Sequence, residues 1–109
     1  MIKKLVFVSV PMSGKDNVLI HRAIQVTRNK YVQKTKCNIR EIAFIDNFDS
    51  GLVDDKFEEM LHPPVAYLGR AIKRLALCTE AIFGEGWENA RGCRIEHEVC
   101  KEYGIEIIE

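Results

Sequence analysis

A near-continuous run of β-favouring apolar residues, Leu5-Val6-Phe7-Val8-Ser9-Val10, constrains this chain more than any other feature. It has the pattern of a strand covered on both faces. Pro11 ends it, because proline lacks the amide hydrogen that a central strand would use. Gly14 then supplies a turn, and a helical pattern follows from about Asp16 to Gln33. Val18, Leu19, Ala23, Val26 and Tyr31 form its expected apolar side, with Lys and Arg gathering near its end, where the helix dipole favours them.

The same alternation continues down the chain. Ile39 to Ile45 reads as a second strand, and Asp46-Asn47-Phe48-Asp49-Ser50-Gly51 is turn chemistry. A short acidic helix is expected over about Val53 to Leu61. After His62, Pro63 and Pro64 suit the start of a helix carrying Val65, Leu68, Ile72, Leu75 and Ala76 at helical spacing. Glu80 to Gly84 is a third strand, Glu85 to Asn89 a loop, and Ala90 to Tyr103 a helix ended by Gly104. Ile105 to Ile108 is the last strand. Strands alternating with helices predict an α/β fold, a parallel sheet with helices on both faces. Ligands bind such sheets outside the carboxyl ends of the strands. Here those ends lead into the Pro11–Lys15, Asp46–Ser50 and Glu85–Asn89 loops.

Composition narrows the function. The 109 residues suffice for one domain with one modest core. Sixteen basic and sixteen acidic residues give zero formal net charge, which removes the footprint of a general nucleic-acid binder and lets copies associate without repulsion. No apolar run is long enough to span a bilayer. Two lysines precede the first apolar stretch, but it is too short for a signal peptide and reads as the first strand. Cys37, Cys78, Cys93 and Cys100 contain no Cys-x-x-Cys pair, so reduced thiols and a cytoplasmic location are expected.

One residue stands out on the last helix. On a helical wheel Ile95, Val99, Gly92, Tyr103, Cys100 and Cys93 share one arc, with Arg94, Lys101, Glu98 and His97 opposite. Glu96 lies near the middle of the apolar arc. A carboxylate buried there must be paired, protonated or in use. Its place in the second turn after a strand-end loop lets it face the ligand crevice. Cys93, His97 and Cys100 have a spacing that could present metal ligands, yet His97 is on the polar side and no fourth ligand is apparent, so core cysteines and no metal are expected. No cofactor is expected either. Pro11-Met12-Ser13-Gly14-Lys15 lacks the full phosphate-loop spacing; it fits a single phosphate on backbone amides or a plain turn. Trp87, the one tryptophan, is read as covering a pocket or a subunit contact rather than filling the core.

Phe7 to Lys15 resembles the strand-and-loop opening of the nucleoside 2-deoxyribosyltransferase-like superfamily. Gly86-Trp87-Glu88-Asn89-Ala90-Arg91-Gly92-Cys93-Arg94-Ile95-Glu96-His97-Glu98 resembles its second signature. The resemblance is to short members of that superfamily. It implies a flavodoxin-like three-layer α/β/α sandwich with four to five parallel strands, a homo-oligomer, and a nucleoside or nucleotide as ligand. It also implies that Glu96 attacks the anomeric carbon of a 2-deoxyribosyl group, with a second group protonating the departing base. Phe7, Pro11, Met12, Ser13, Gly14, Trp87, Asn89, Arg91 and Gly92 would then surround the substrate. Three matched positions depart from the enzymes. Phe7 replaces a frequent tyrosine, Ala90 replaces a phosphate-binding serine, and no aspartate occurs around Gly69-Arg70-Ala71. Glu85, Glu88 or Asp46 is left to replace that acid. The alternative is a nucleotide or nucleotide-sugar sensor that keeps the pocket without the chemistry.

Overall fold

The computed structural model describes residues 1–48 and 53–109. Four strands, β1 (Lys4–Ser9), β2 (Ile42–Asp46), β3 (Glu80–Phe83) and β4 (Glu106–Ile108), form an all-parallel sheet in the order β2-β1-β3-β4. The α-helices of the described residues are α1 (Asn17–Thr35), α2 (Asp55–Glu58), α3 (Pro63–Leu75) and α4 (Arg91–Tyr103). The architecture is α/β, compatible with a flavodoxin-like three-layer sandwich. The chain steps from β1 to β2 on one side and then crosses to β3 on the other, so strand order reverses between β1 and β3, at the carboxyl ends of the central strands.

Side-chain alternation along β1 divides the core in two. Val6, Val8 and Val10 pack with Ile82 against Ile20, Ile24 and Tyr31 of α1. Phe7 faces the other way, with Ala81 and Phe83, onto Ala71 and Leu75 of α3 and Cys93 and Cys100 of α4. A strand so covered needs apolar residues in succession, which explains the opening run. Ser9 is the exception, a fully buried hydroxyl on the α3/α4 face.

Several expected boundaries move for local reasons. The Asn38 side chain accepts the Arg40 N–H at 3.1 Å and winds Ile39–Glu41 into a 3₁₀ turn, so β2 starts only at Ile42. The acidic helix contracts to Asp55–Glu58, where Asp54 caps it by accepting from the Lys56 N–H at 2.9 Å. Asp49, Ser50 and Gly51 of the expected turn lie outside the described residues.

The expected apolar side of α1 needs correction. Val18 and Val26 are 66% and 60% exposed and Leu19 is also exposed, whereas Ile20, Ile24, Thr27 and Tyr31 are buried. Those four recur at helical spacing, and Thr27 neutralises its hydroxyl by donating to the Ala23 carbonyl at 2.8 Å. Ile95 and Tyr103 of α4 are likewise exposed, because the inward stripe is Cys93, Glu96 and Cys100. On α3, Val65 and Ala76 face outward while Ala71 and Leu75 are buried. Gly104 ends α4 at φ 75°, as expected. No helix of the described residues is long and apolar enough to cross a membrane.

Gly84 directly follows β3 and packs against Thr27 of α1. A Cβ there would stand 2.9 Å from both Thr27 Oγ1 and Val10 Cγ1. Gly84→Ala is therefore expected to cost about 1–3 kcal/mol by overpacking, read by urea denaturation. An unchanged midpoint would show that α1 can shift outward freely.

Candidate active site

The site begins at the carboxyl ends of β1 and β2. Asn47 follows β2 directly, and its backbone N–H donates to the Val8 carbonyl at 3.0 Å. Its side chain turns across to β1, where Oδ1 accepts the Val10 N–H at 3.1 Å and Nδ2 donates to the Val10 carbonyl at 3.2 Å. The amide therefore ties the two strand ends together with one fixed orientation.

Glu96 reaches this point from the second turn of α4 and is only 2% exposed. The Ser9 hydroxyl donates to its Oε1 at 2.6 Å, and Asn47 Nδ2 lies 3.3 Å from the same oxygen. Burial pushes the Glu96 carboxyl up to about 7, with the Ser9 and Asn47 hydrogen bonds acting in the opposite sense. No hydrogen bond from a described residue goes to Oε2. Since no buried side-chain oxygen among them lacks a partner, Oε2 opens onto the cavity that Glu96 lines.

That cavity measures about 590 Å³. It brings together seven of the residues singled out in the sequence: Pro11, Met12, Ser13, Asn89, Arg91, Gly92 and Glu96. The other three lie elsewhere. Phe7 is fully buried against α3 and α4, on the sheet side of Glu96. Gly14, at φ 75°, forms the turn closed by the Lys15 N–H to Met12 carbonyl bond, but does not line the wall. Trp87 stacks on His97, centroids 4.0 Å apart and 10° from parallel, with Phe83 against both rings. It lines a separate cavity of about 530 Å³ beside β4, together with Glu85 and Glu88. Gly86, at φ 83°, turns this loop away from Glu96.

Three functional residues escaped sequence reasoning. Ser9 and Asn47 hold Glu96, and Tyr67 lines the cavity from α3. Asn47 carried a usable signal as the amide directly behind a strand end. On α3, Pro64, Tyr67, Leu68 and Ala71 line the wall at helical spacing. The Tyr67 hydroxyl accepts the Asp54 N–H at 3.0 Å, and Arg70 pairs with the Asp54 carboxylate at 3.5 Å, which ties α2 to α3. A second cavity of about 380 Å³ adjoins the first and shares Met12, Asn47, Pro64, Tyr67 and Ala71 with it.

No family model, curated protein or solved structure matches this chain. The chemistry must be read from the site itself. Its wall includes the first turn of α4, Arg91 to Cys93, which no side chain caps, along with Arg91 and Arg94. The positive helix end and the two guanidinium groups favour an anionic ligand group. Apart from Glu96, no carboxylate among the described residues lines this cavity. Glu85 and Glu88 belong to the other cavity, and the Asp46 side chain accepts the Phe48 N–H at 3.0 Å. None of these three side chains lines the Glu96 cavity.

All four cysteines are free thiols. Burial pushes Cys78, Cys93 and Cys100 up to about 11, so they stay protonated at neutral pH. Cys93 and Cys100 pack inward while His97 turns to Trp87, so the three do not converge. Among the described residues no group of His, Cys, Asp or Glu could hold a metal ion.

Proposed function

We propose that this protein cleaves or exchanges the N-glycosidic bond of 2-deoxynucleosides or their 5′-monophosphates, with Glu96 as the nucleophile. One observation carries the reading: a nearly fully buried glutamate presents one oxygen to a cavity at the strand ends while the other is held at 2.6 Å by Ser9. The resemblance of Phe7–Lys15 and Gly86–Glu98 to the nucleoside 2-deoxyribosyltransferase-like superfamily points the same way. In this reaction Glu96 Oε2 bonds to the anomeric carbon as the carbon–nitrogen bond breaks, and the departing base keeps the bond's electron pair and takes a proton from solvent water. Water or a second base then attacks the same carbon from the opposite face, which releases the carboxylate with net retention. The uncapped first turn of α4 and Arg91 suit a 5′-phosphate. The resemblance also implies a homo-oligomer, and the exposed Val18, Leu19 and Val26 of α1 offer apolar surface for one.

A panel of 2-deoxynucleosides and their monophosphates, followed by chromatography of free base, tests the proposal. Base release by the wild type is the expected result. Because only ionised Glu96 attacks, kcat/KM should rise with pH and level off above about 7. A profile that falls through that range would make Glu96 a proton donor instead.

A second reading, a sensor for nucleotides or nucleotide sugars, draws on the lack of a second carboxylate among the described residues along the Glu96 cavity. It predicts thermal stabilisation by ligand without turnover. A panel that yields neither shift nor product would count against both readings.

A further inference from the structure

The bonds around Asn47 orient its side chain toward Glu96, and its two Nδ2 protons are shared among the Val10 carbonyl, Ser9 Oγ, Glu96 Oε1 and Cys93 Sγ. Asn47 Oδ1 is occupied as acceptor of the Val10 N–H, so its NH₂ end must point toward Ser9 and Glu96. Nδ2 lies 3.3 Å from Ser9 Oγ, which makes that hydroxyl an acceptor on one side. The single Ser9 proton goes to Glu96 Oε1, 2.6 Å away and the shortest contact in the group. Oε1 faces donors only, and a proton on Glu96 has no place there.

We infer that Ser9 and Asn47 are positioning residues that hold Oε1 as a permanent acceptor, so Oε2 alone carries the Glu96 proton and alone bonds to substrate carbon. The inference deepens the nucleophile reading and rests on it for the second half of that statement. Ionised, Glu96 presents a lone pair to the cavity; protonated, it presents an O–H. The proton lost before attack leaves from Oε2 into the cavity, with no path back along β1. A hydroxyl at Ser9 is costly on a fully buried core face, and this role gives it a reason. The network spans residues 87 and 49 positions from Glu96 in sequence, so β1 and β2 both have to be in register for it to form.

Among the described residues the other titratable groups facing Glu96 are few. Cys93 and Cys100 flank it on α4 and remain thiols, and Tyr67 of α3, Arg91 and Arg94 stand along the cavity wall. From β3, Ala81 and Phe83 turn to this face and carry no charge. None of these is hydrogen-bonded to Glu96, which leaves Ser9 and Asn47, among the described residues, as the groups that hold its carboxylate.

Carbon-13 NMR of side-chain-labelled glutamate follows the Glu96 carboxyl directly and needs no turnover. The wild type should titrate near 7. Ser9→Ala removes the short charge-assisted bond and is expected to move that midpoint up by about one unit, a tenfold smaller ratio of ionised to protonated Glu96 at a given pH. Ser9→Thr, which retains the hydroxyl, should restore it. The acid limb of kcat/KM should move with the NMR midpoint. Should Ser9→Ala fail to fold, Ser9→Cys, of similar volume and a far weaker donor, gives the same comparison. An unshifted midpoint in a folded Ser9→Ala or Ser9→Cys protein overturns the positioning role. Such a result leaves the nucleophile reading standing if base release still depends on Glu96. A shifted midpoint in a protein that releases no base supports the network and sinks the enzyme reading alone.

Discussion

Glu96→Gln should make the protein more stable at pH 8, by up to about 3 kcal/mol. The Glu96 carboxyl sits at about 7 when folded against 4.5 for the unperturbed group. A unit of difference is worth about 1.4 kcal/mol. The sign follows from proton counting. Below pH 4.5 both folded and unfolded chains hold the proton, and Glu96 costs nothing through ionisation. Between 4.5 and 7 the unfolded chain releases its proton first, so stability falls as pH rises; above 7 the loss is complete. Glutamine removes that loss, and its carbonyl oxygen still accepts from Ser9 and Asn47. The expected thermal shift is on the order of 10 °C at pH 8 and shrinks toward zero by pH 4. An advantage of equal size at both pH values would show that ionisation of Glu96 is not what destabilises the wild type. Core carboxylates that weaken a fold are kept for their chemistry.

Glu96→Ala is expected to lower base release by at least about a thousandfold while the chain stays folded. The two strand ends remain tied by Asn47 to Val10, so the cavity should survive and still bind ligand. Circular dichroism and a ligand-dependent thermal shift check the fold and the binding. Turnover within tenfold of the wild type would remove Glu96 from the reaction.

Much of this was legible in one dimension. The run from Leu5 to Val10 announces a strand covered on both faces, and it became β1 at the centre of the sheet with helices on each side. Glu96 was visible because its neighbours one turn away, Cys93 and Cys100, are small and apolar. All three proved buried. The face of α1 was not legible. Val18, Leu19 and Val26 are as apolar as Ile20 and Ile24, so composition alone could not choose the inward stripe. Sheet packing chose it, through Val6, Val8 and Val10.

The partners of Glu96 were hidden for a different reason. Ser9 reads as one more residue of a strand and Asn47 as turn chemistry, and only parallel pairing of β1 with β2 brings both to α4. Trp87 shows the limit of proximity in sequence. It precedes Glu96 by nine residues, yet the left-handed Gly86 directs it to His97 and the cavity beside β4. Gly14 likewise shapes the loop whose neighbours, Met12 and Ser13, line the wall.

The central claim is that Glu96 Oε2 forms a bond to the sugar, and trapping tests it most directly. The protein would be incubated with the deoxynucleoside or monophosphate it cleaves best, quenched in acid, digested and analysed by mass spectrometry. The account predicts a 2-deoxyribosyl adduct on the peptide containing Glu96, absent from Glu96→Gln. Base release with no adduct there, or with an adduct on another residue, would contradict it.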